Sequence, residues 1–339
     1  MFLVAEKHMS ITVVKPGLLT TIQDDGRTGY EKFGIVVSGA MDMFSLKLAN
    51  ILVGNDINEA CLEVTVLGPE LKISENTLIA ITGAELSPTI NGISVENNKP
   101  IFIKTESILS FKGPTKGCRA YIAFAGGFLI PKILESKSTY IRGKIGGLNG
   151  RALIKGDTIK IGKRSNLSEK IINSLLKYKE KSGFIEAMWF AKNPFNYTTQ
   201  NQVIRVFEDM QYNLADKDSL YNFYNSSYKV TSKSDRMGYR LEGSKIKFKE
   251  KIEMISGEVS LGTIQVPPDG NPIILLADRQ TAGGYPKFAH VIKADIPILA
   301  QLPPNSSIRF KKVSMYEAEK LYYDNYKYLT EIKNIINLL

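Results

Sequence analysis

Cysteine and histidine are the scarcest chemistry-bearing residues of this 339-residue chain: two Cys, Cys61 and Cys118, and two His, His8 and His290. Two thiols cannot build a disulfide framework, and neither sits in a Cys-x-x-Cys pair of the kind that binds metal or shuttles electrons, so a reducing cytoplasm fits best. A His-rich zinc centre is excluded, no other metal site is expected, and a Ser-His-Asp triad would have to recruit one of the two imidazoles. Long apolar runs are also lacking. No stretch approaches the ~18 apolar residues of a membrane span, and the first 14 residues hold no core of signal-peptide length. The expectation is a soluble chain that is neither exported nor membrane-bound.

What is present is ample apolar material, 43% hydrophobic against 23% charged. That suffices for roughly two domains of ~100–200 residues each and excludes a disordered chain. The net charge of +10 comes from 34 Lys and 10 Arg scattered among Ile and Asn rather than gathered into a stripe. No basic run carries aromatics at a spacing that would stack bases, so nucleic acid is not an expected partner.

Between Ile11 and Gly162 short apolar runs are broken by Gly, Pro, Asn and Asp: Leu71 to Ile73, Thr77 to Thr82, Ile101 to Ile103, Ile108 to Phe111, Arg119 to Phe124, Thr158 to Ile161. Several alternate apolar with polar, as half-buried strands do. Asn91-Gly92 reads as a hairpin turn because both positions tolerate positive φ. Met43, Leu46, Leu48, Ala49 and Leu52 recur at helical spacing behind Asp42, a potential cap, and Ile171, Ile172, Leu175 and Leu176 give a second helix within 166–181. Strand patterns resume at Val203 to Phe207, Tyr228 to Thr231, Ile246 to Phe248, Thr263 to Val266, Ile273 to Leu276 and Ser307 to Phe310. Ser314 and Glu317 form a capping box ahead of a C-terminal helix. The expected organisation is a β domain over 11–165, a helical and polar connector over 166–201, a second β domain over 202–313 and a terminal helix over 314–339.

Four loops are dense in Gly, Asp, Arg and Ser. The first runs from Pro16-Gly17 through Gln23-Asp24-Asp25-Gly26-Arg27 to Ser38-Gly39-Ala40-Met41-Asp42, and the second from Ser136 to Arg151. The third is Ser234-Asp235-Arg236-Met237-Gly238-Tyr239-Arg240, and the fourth joins Gly262 to Gly270 with Asp278-Arg279-Gln280-Thr281 and Gly283-Gly284-Tyr285-Pro286. Singly each is weak, since Asp-Gly pairs only reverse chains and Asp235 beside Arg236 and Arg240 forms an internal salt bridge as readily as a site. Gly146-Gly147 lacks the Gly-Lys-Ser/Thr ending of a phosphate loop. Together they are more informative: guanidinium groups and Gly backbone N–H donors suit carboxylate, phosphate or carbonyl oxygens. Gln265, Asp278, Gln280, Thr281 and Tyr285 add hydrogen bonds for an amide, which points to a small, anionic, amide-like ligand. His290 reads equally as a base or a packed strand residue, and the apolar surroundings of both cysteines favour buried structural thiols. His8 carries no expected role.

At these loops the chain closely resembles the biotin-dependent carboxyltransferase, or allophanate hydrolase subunit 2, family, whose members include KipA-type proteins and 5-oxoprolinase components. The resemblance is carried by Pro16-Gly17, Thr20-Thr21-Ile22-Gln23-Asp24, Ser38-Gly39-Ala40-Met41-Asp42, Gly68-Pro69, Ser138-Thr139-Tyr140 and Gly146-Gly147-Leu148-Asn149-Gly150-Arg151. It continues through Ser234 to Gly243, Gly262 to Pro267 and Asp278 to Pro286, and spans about 11–320. Departures include Glu135 and Lys137 in place of the usual Gly and Arg, and Ser256-Gly257-Glu258 in place of Ser-Glu-Gly.

The resemblance implies a mainly β fold of two cyclophilin-like β-barrel domains with a few short helices. It also implies a cytoplasmic component of a heteromeric enzyme. The leading expectation is ATP-dependent hydrolysis of 5-oxo-L-proline to L-glutamate by a 5-oxoprolinase, of which this chain is the C component. The work is shared with a B-like protein of the allophanate hydrolase subunit 1 family and an A-like protein. The alternatives are a biotin-dependent carboxyltransferase component acting on a urea-like substrate, and a non-catalytic antagonist of a sensor-kinase inhibitor. Asp278, Gln280 and Tyr285 are the expected catalytic residues; Arg27, Arg151, Arg236, Arg240, Gln265 and Thr281 the expected substrate contacts, with arginine-bearing turns of both barrels converging on one pocket. ATP is expected to be used by the complex, with no cofactor bound by this chain. Ala40-Met41-Asp42-Met43 echoes the biotin-attachment tetrapeptide with Asp42 in place of the acceptor lysine, so no biotin is expected here.

Overall fold

The computed structural model describes residues 9–250, 252 and 254–339, which leaves His8 outside the described residues. The chain divides into two compact units, one comprising Met1–Asp25, Met43–Pro194 and Leu329–Leu339, the other Gly26–Asp42 and Phe195–Tyr328.

The first unit is built from two six-stranded sheets. One orders Thr158–Lys160, Ser10–Lys15, Glu70–Ile73, Ser107–Phe111, Pro88–Ile90 and Ile93–Ser94; the other orders Phe184–Glu186, Pro100–Ile103, Thr77–Glu85, Lys116–Phe124, Cys61–Thr65 and Leu19–Gln23. Alternation puts Ile11, Val13, Leu71 and Leu109 of the first sheet and Ile22, Leu62, Ile79, Ile101 and Ile122 of the second into one shared core. Asn91 and Gly92 turn the Pro88–Ile90 hairpin with φ of 50° and 81°, as the dipeptide requires. The opposite face of the second sheet packs the helix Met43–Leu52. Polar residues are buried there, with Thr82 Oγ1 donating to Ser45 O at 2.6 Å and Tyr121 Oη to Glu63 Oε2 at 2.8 Å.

The second unit closes a seven-stranded barrel. Its order is Gln202–Glu208, Lys287–Val291, Thr263–Gln265, Ile273–Leu275, Gly238–Glu242, Tyr228–Val230 and Ser307–Lys312, and the ring is sealed by the parallel pairing of its first and last strands. Ile204, Val206, Leu241, Ile264, Ile274, Phe288, Ile308 and Phe310 fill it, joined by Met41 from the segment Gly26–Asp42. Phe223, on the helix Lys217–Asn225, stacks on Phe310 with ring centroids 4.4 Å apart.

The mainly β reading with few helices holds, and several local expectations change. Ile246 to Phe248 forms no strand, because Phe248 makes only an isolated bridge to Ala215. The helix expected over 166–181 is Asn166–Leu175, capped by Ser165, and it ends where its last buried apolar residue, Leu175, is reached. Of the stretch expected as a connector, the part up to Pro194 falls in the first unit, where Phe184–Glu186 pairs with Pro100–Ile103, and the part from Phe195 on falls in the second. Gly238–Glu242 and the helices Lys217–Asn225 and Ile296–Ala300 are additional elements. The terminal helix Met315–Asn337 starts at the capping box, with Ser314 N–H donating to Glu317 Oε2 at 2.8 Å and Glu317 N–H to Ser314 Oγ at 3.2 Å. Among the described residues no helix is long and apolar enough to cross a membrane, and no three His, Cys, Asp or Glu side chains gather as metal ligands.

Candidate functional site

In the second unit the third and fourth loops meet. Asp278 follows the strand Ile273–Leu275, and its N–H donates to Arg236 O at 2.8 Å, which aligns the two loops backbone to backbone. Arg236 Nε then donates to Asp278 Oδ2 at 2.9 Å and Nη2 to Oδ1 at 3.0 Å, a two-pronged pairing of two buried side chains. Ser38 Oγ adds a third donor to Asp278 Oδ1 at 2.8 Å, and Arg236 Nη2 also donates to Gly39 O at 2.6 Å. Ser38 and Gly39 lie in the left-handed region, φ 60° and 89°. The segment Gly26–Asp42 is held at its far end as well, where Gln301 Nε2 donates to the buried Asp42 carboxylate at 2.8 Å.

Beside this pair, Gln265 is buried in its barrel strand and donates from Nε2 to Tyr285 O at 3.1 Å, while Gln280 Nε2 lies 3.4 Å from Gln265 Oε1. The loop that carries them is shaped by the short pairing of Ala282–Gly283 with Gly257–Glu258 and by Val259 N–H donating to Thr281 O at 3.2 Å. Gly283 packs closely on the Gln265 amide: a Cβ there would stand 2.6 Å from Gln265 Nε2 and displace that side chain. Tyr285 is 44% exposed.

Six of the nine expected residues therefore belong to one unit: Asp278, Gln280, Tyr285, Arg236 and Thr281 on two adjoining loops, and Gln265 at the end of the barrel strand beside them. Arg27 is buried in the same unit, where its N–H donates to Val37 O at 2.8 Å. Arg240 is exposed on the outer side of its strand, between the inward Tyr239 and Leu241. Arg151 lies in the first unit, where Asp157 grips its guanidinium with contacts of 2.7 and 2.8 Å and is itself held below the usual carboxylate range by that pairing. Arg236 pairs with Asp278, and Asp235 Oδ1 accepts Met237 N–H at 2.8 Å within the turn.

In the first unit, Asp24 is buried among donors from the second loop. Ser136 Oγ reaches it at 2.6 Å, Lys137 N–H at 2.5 Å, and Ser138 Oγ donates as well. Its neighbour Asp25 is pushed above the usual range by loss of solvation and then by the Asp24 charge. His290 is a packed strand residue whose ring stacks on Phe207 at 5.0 Å, and burial pushes its pKa down. Both thiols are buried, and burial raises the Cys61 thiol well above its ordinary value.

Sequence reasoning assigns no individual role to Ser38, Gly39 or Arg279. The pairing of Ser38, at positive φ, with a buried carboxylate 240 positions away has no local signal, although Ser38-Gly39 falls in a motif that carries the family resemblance.

Comparison with known proteins supplies the remaining findings. A family model described as carboxyltransferase domain, subdomain A and B, matches residues 33–312. The chain is 36% identical over 323 residues to the C subunit of 5-oxoprolinase from Haemophilus influenzae, covering 94% of this chain and 96% of that one. It is 35% identical over 322 residues to the C subunit of 5-oxoprolinase from Escherichia coli, covering 95% and 97%. Urea amidolyase of Saccharomyces cerevisiae is 32% identical over 333 residues, and the match covers 92% of this chain but 17% of that enzyme. The crystal structure of Kluyveromyces lactis urea carboxylase aligns with a TM-score of 0.85 at 30% identity over 97% of this chain, which spans 30% of that longer chain.

Proposed function

Because the chain belongs to the carboxyltransferase domain A and B family, we propose that it is the C subunit of an ATP-dependent 5-oxoprolinase. In this reading it works in the cytoplasm with a B-like and an A-like partner to open the lactam of 5-oxo-L-proline to L-glutamate. One observation carries the reading: the similarity to chains named as the C subunit of 5-oxoprolinase runs nearly end to end on both sides, 96% and 97% of their lengths.

The loop chemistry supports it. A lactam offers one carbonyl acceptor and one N–H donor on the same edge, and side-chain amides and hydroxyls can pair with both. Gln265 is already engaged by Tyr285 O and by the Gln280 amide N–H, so Thr281, the exposed Tyr285 side chain and the remaining capacity of the Gln280 amide are left to meet a ring amide. Asp278, with three donors fixed on it, holds the loop rigid beside them. A lactam is a poor electrophile; ATP consumed by the complex activates it, and preorganised donors stabilise negative charge that develops on its oxygen. No cofactor and no biotin attachment are assigned to this chain.

The test is glutamate release from 5-oxo-L-proline and ATP by the reconstituted three-protein mixture. Release is expected with this chain and lost on omitting it; equal release in both mixtures overturns the reading. The TM-score of 0.85 against urea carboxylase favours a second reading, carboxyl transfer from a biotin carrier to a urea-like nitrogen. An avidin-reactive protein that copurifies with the chain and is required for turnover would select it.

A further inference from the structure

Of the arginines expected to contact substrate, Arg236 is paired with Asp278, Arg151 with Asp157 in the first unit, and Arg240 is turned to solvent. Arg279 is different. It stands between Asp278 and Gln280, its N–H donates to Leu276 O at 3.1 Å, and its side chain is half-buried. Its guanidinium makes no hydrogen bond or ion pair with any described residue, and Nε is sealed from water without a partner.

A guanidinium carries five N–H donors and no route to neutrality, so burying it unpaired costs free energy that a planar oxyanion offsets. The surroundings are prepared for such an anion. Asp278, the adjacent carboxylate, is saturated by Arg236 and Ser38. Glu31 is the one carboxylate whose charge registers at Arg279, and one of its oxygens is taken by Gly29 N–H at 2.6 Å. Burial, with the Arg279 charge added, pushes the His290 pKa below its ordinary value. On the following residues the same loop presents Gln280, Thr281 and Tyr285, the groups assigned above to the ring amide.

We propose that Arg279 docks the α-carboxylate of 5-oxo-L-proline, while the Gln280–Tyr285 stretch of the same loop addresses the lactam. The assignment rests on the function proposed above and names the residue that separates a carboxylated lactam from a plain one. A guanidinium fork meets two carboxylate oxygens at once, whereas a lysine meets them as a point charge.

Two measurements test it. In the assembled complex, Arg279→Ala is expected to raise KM for 5-oxo-L-proline by about 10-fold or more, with Arg279→Lys in between and KM for ATP unchanged. On the full chain, phenylglyoxal is expected to label Arg279, as mapped by mass spectrometry, and 5-oxo-L-proline but not 2-pyrrolidinone is expected to block the labelling. A folded Arg279→Ala variant with unaltered KM overturns the assignment. Protection by inorganic phosphate alone, with a raised KM for ATP, overturns it in favour of a phosphoryl oxyanion. If the wild-type complex cleaves no lactam, the functional reading falls by itself. In that case blockage by acetate still upholds Arg279 as a carboxylate-docking residue, and labelling indifferent to every anion removes it.

Discussion

Arg236 and Asp278 retain only 7% and 9% of their side-chain exposure, which makes their pairing an energetic commitment as well as a feature of the loop. Removing one member leaves the other charged and buried, a change that costs about 3–5 kcal/mol, whereas replacing both with apolar groups of similar volume is far milder. Asp278→Ala is therefore expected to lower unfolding stability by about that amount in urea titration, and the double variant Arg236→Met, Asp278→Leu to recover much of it. His290 makes a pH-dependent claim at the same scale. Burial against Phe207 holds its pKa below the ordinary 6.5, with the Asp209 charge pulling the other way. Between the folded value and 6.5 the unfolded chain takes up a proton that the folded chain refuses, so stability falls as pH is lowered through that window. The urea midpoint is expected to drop between about pH 7.5 and 5.5 in the wild type and to drop less in His290→Gln; parallel profiles would remove His290 as the cause.

Elements with a short-range signal are legible in the sequence. Asn91-Gly92 dictates its hairpin through backbone φ, and the Ser314–Glu317 pair dictates where the terminal helix starts. Ile246 to Phe248 reads as a strand because β-propensity describes a half-buried pleated surface, not a partner, and Phe248 has only Ala215 opposite it. Illegible altogether is the conformation of the segment Gly26–Asp42, whose Ser38 and Gly39 are held through contacts with Arg236 and Asp278, far along the chain. Ser38 at φ 60° carries a backbone penalty that Gly would not. This separates its two contributions. Ser38→Gly relaxes the backbone and deletes the hydroxyl donor to Asp278, and is expected to keep the wild-type melting temperature while lowering lactam turnover. Ser38→Thr keeps the hydroxyl but sets a β-branched residue at positive φ, and is expected to melt lower and turn over better than the Gly variant. Activities that simply track melting temperature across the pair would reduce Ser38 to a structural residue.

For the whole molecule, chain order and spatial membership do not coincide. Periodicity and turn residues report on neighbours within a few positions, so they delimit two β-rich stretches yet do not reveal that 26–42 belongs with 195–328 while 166–194 belongs with the first unit. The site arginines illustrate the same limit: that Arg236 takes Asp278 and Arg279 takes no described side chain depends on how two loops meet, which no spacing encodes. The consequence for folding is specific. The barrel closes with strands from 202 onwards, but its core includes Met41, and Asp278 and Gln301 each take a hydrogen bond from, or give one to, the early segment. A fragment of residues 195–328 lacks the Met41 side chain from its interior and leaves the Gln301 amide without Asp42. It is expected to show poorly dispersed amide resonances and a shallow, non-cooperative thermal transition. A synthetic peptide of residues 26–42 added in trans is expected to sharpen that transition and raise its midpoint with peptide concentration, as any ligand that binds only the folded form must. A fragment that unfolds cooperatively by itself, with a midpoint indifferent to the peptide, would show that the early segment decorates a barrel already complete.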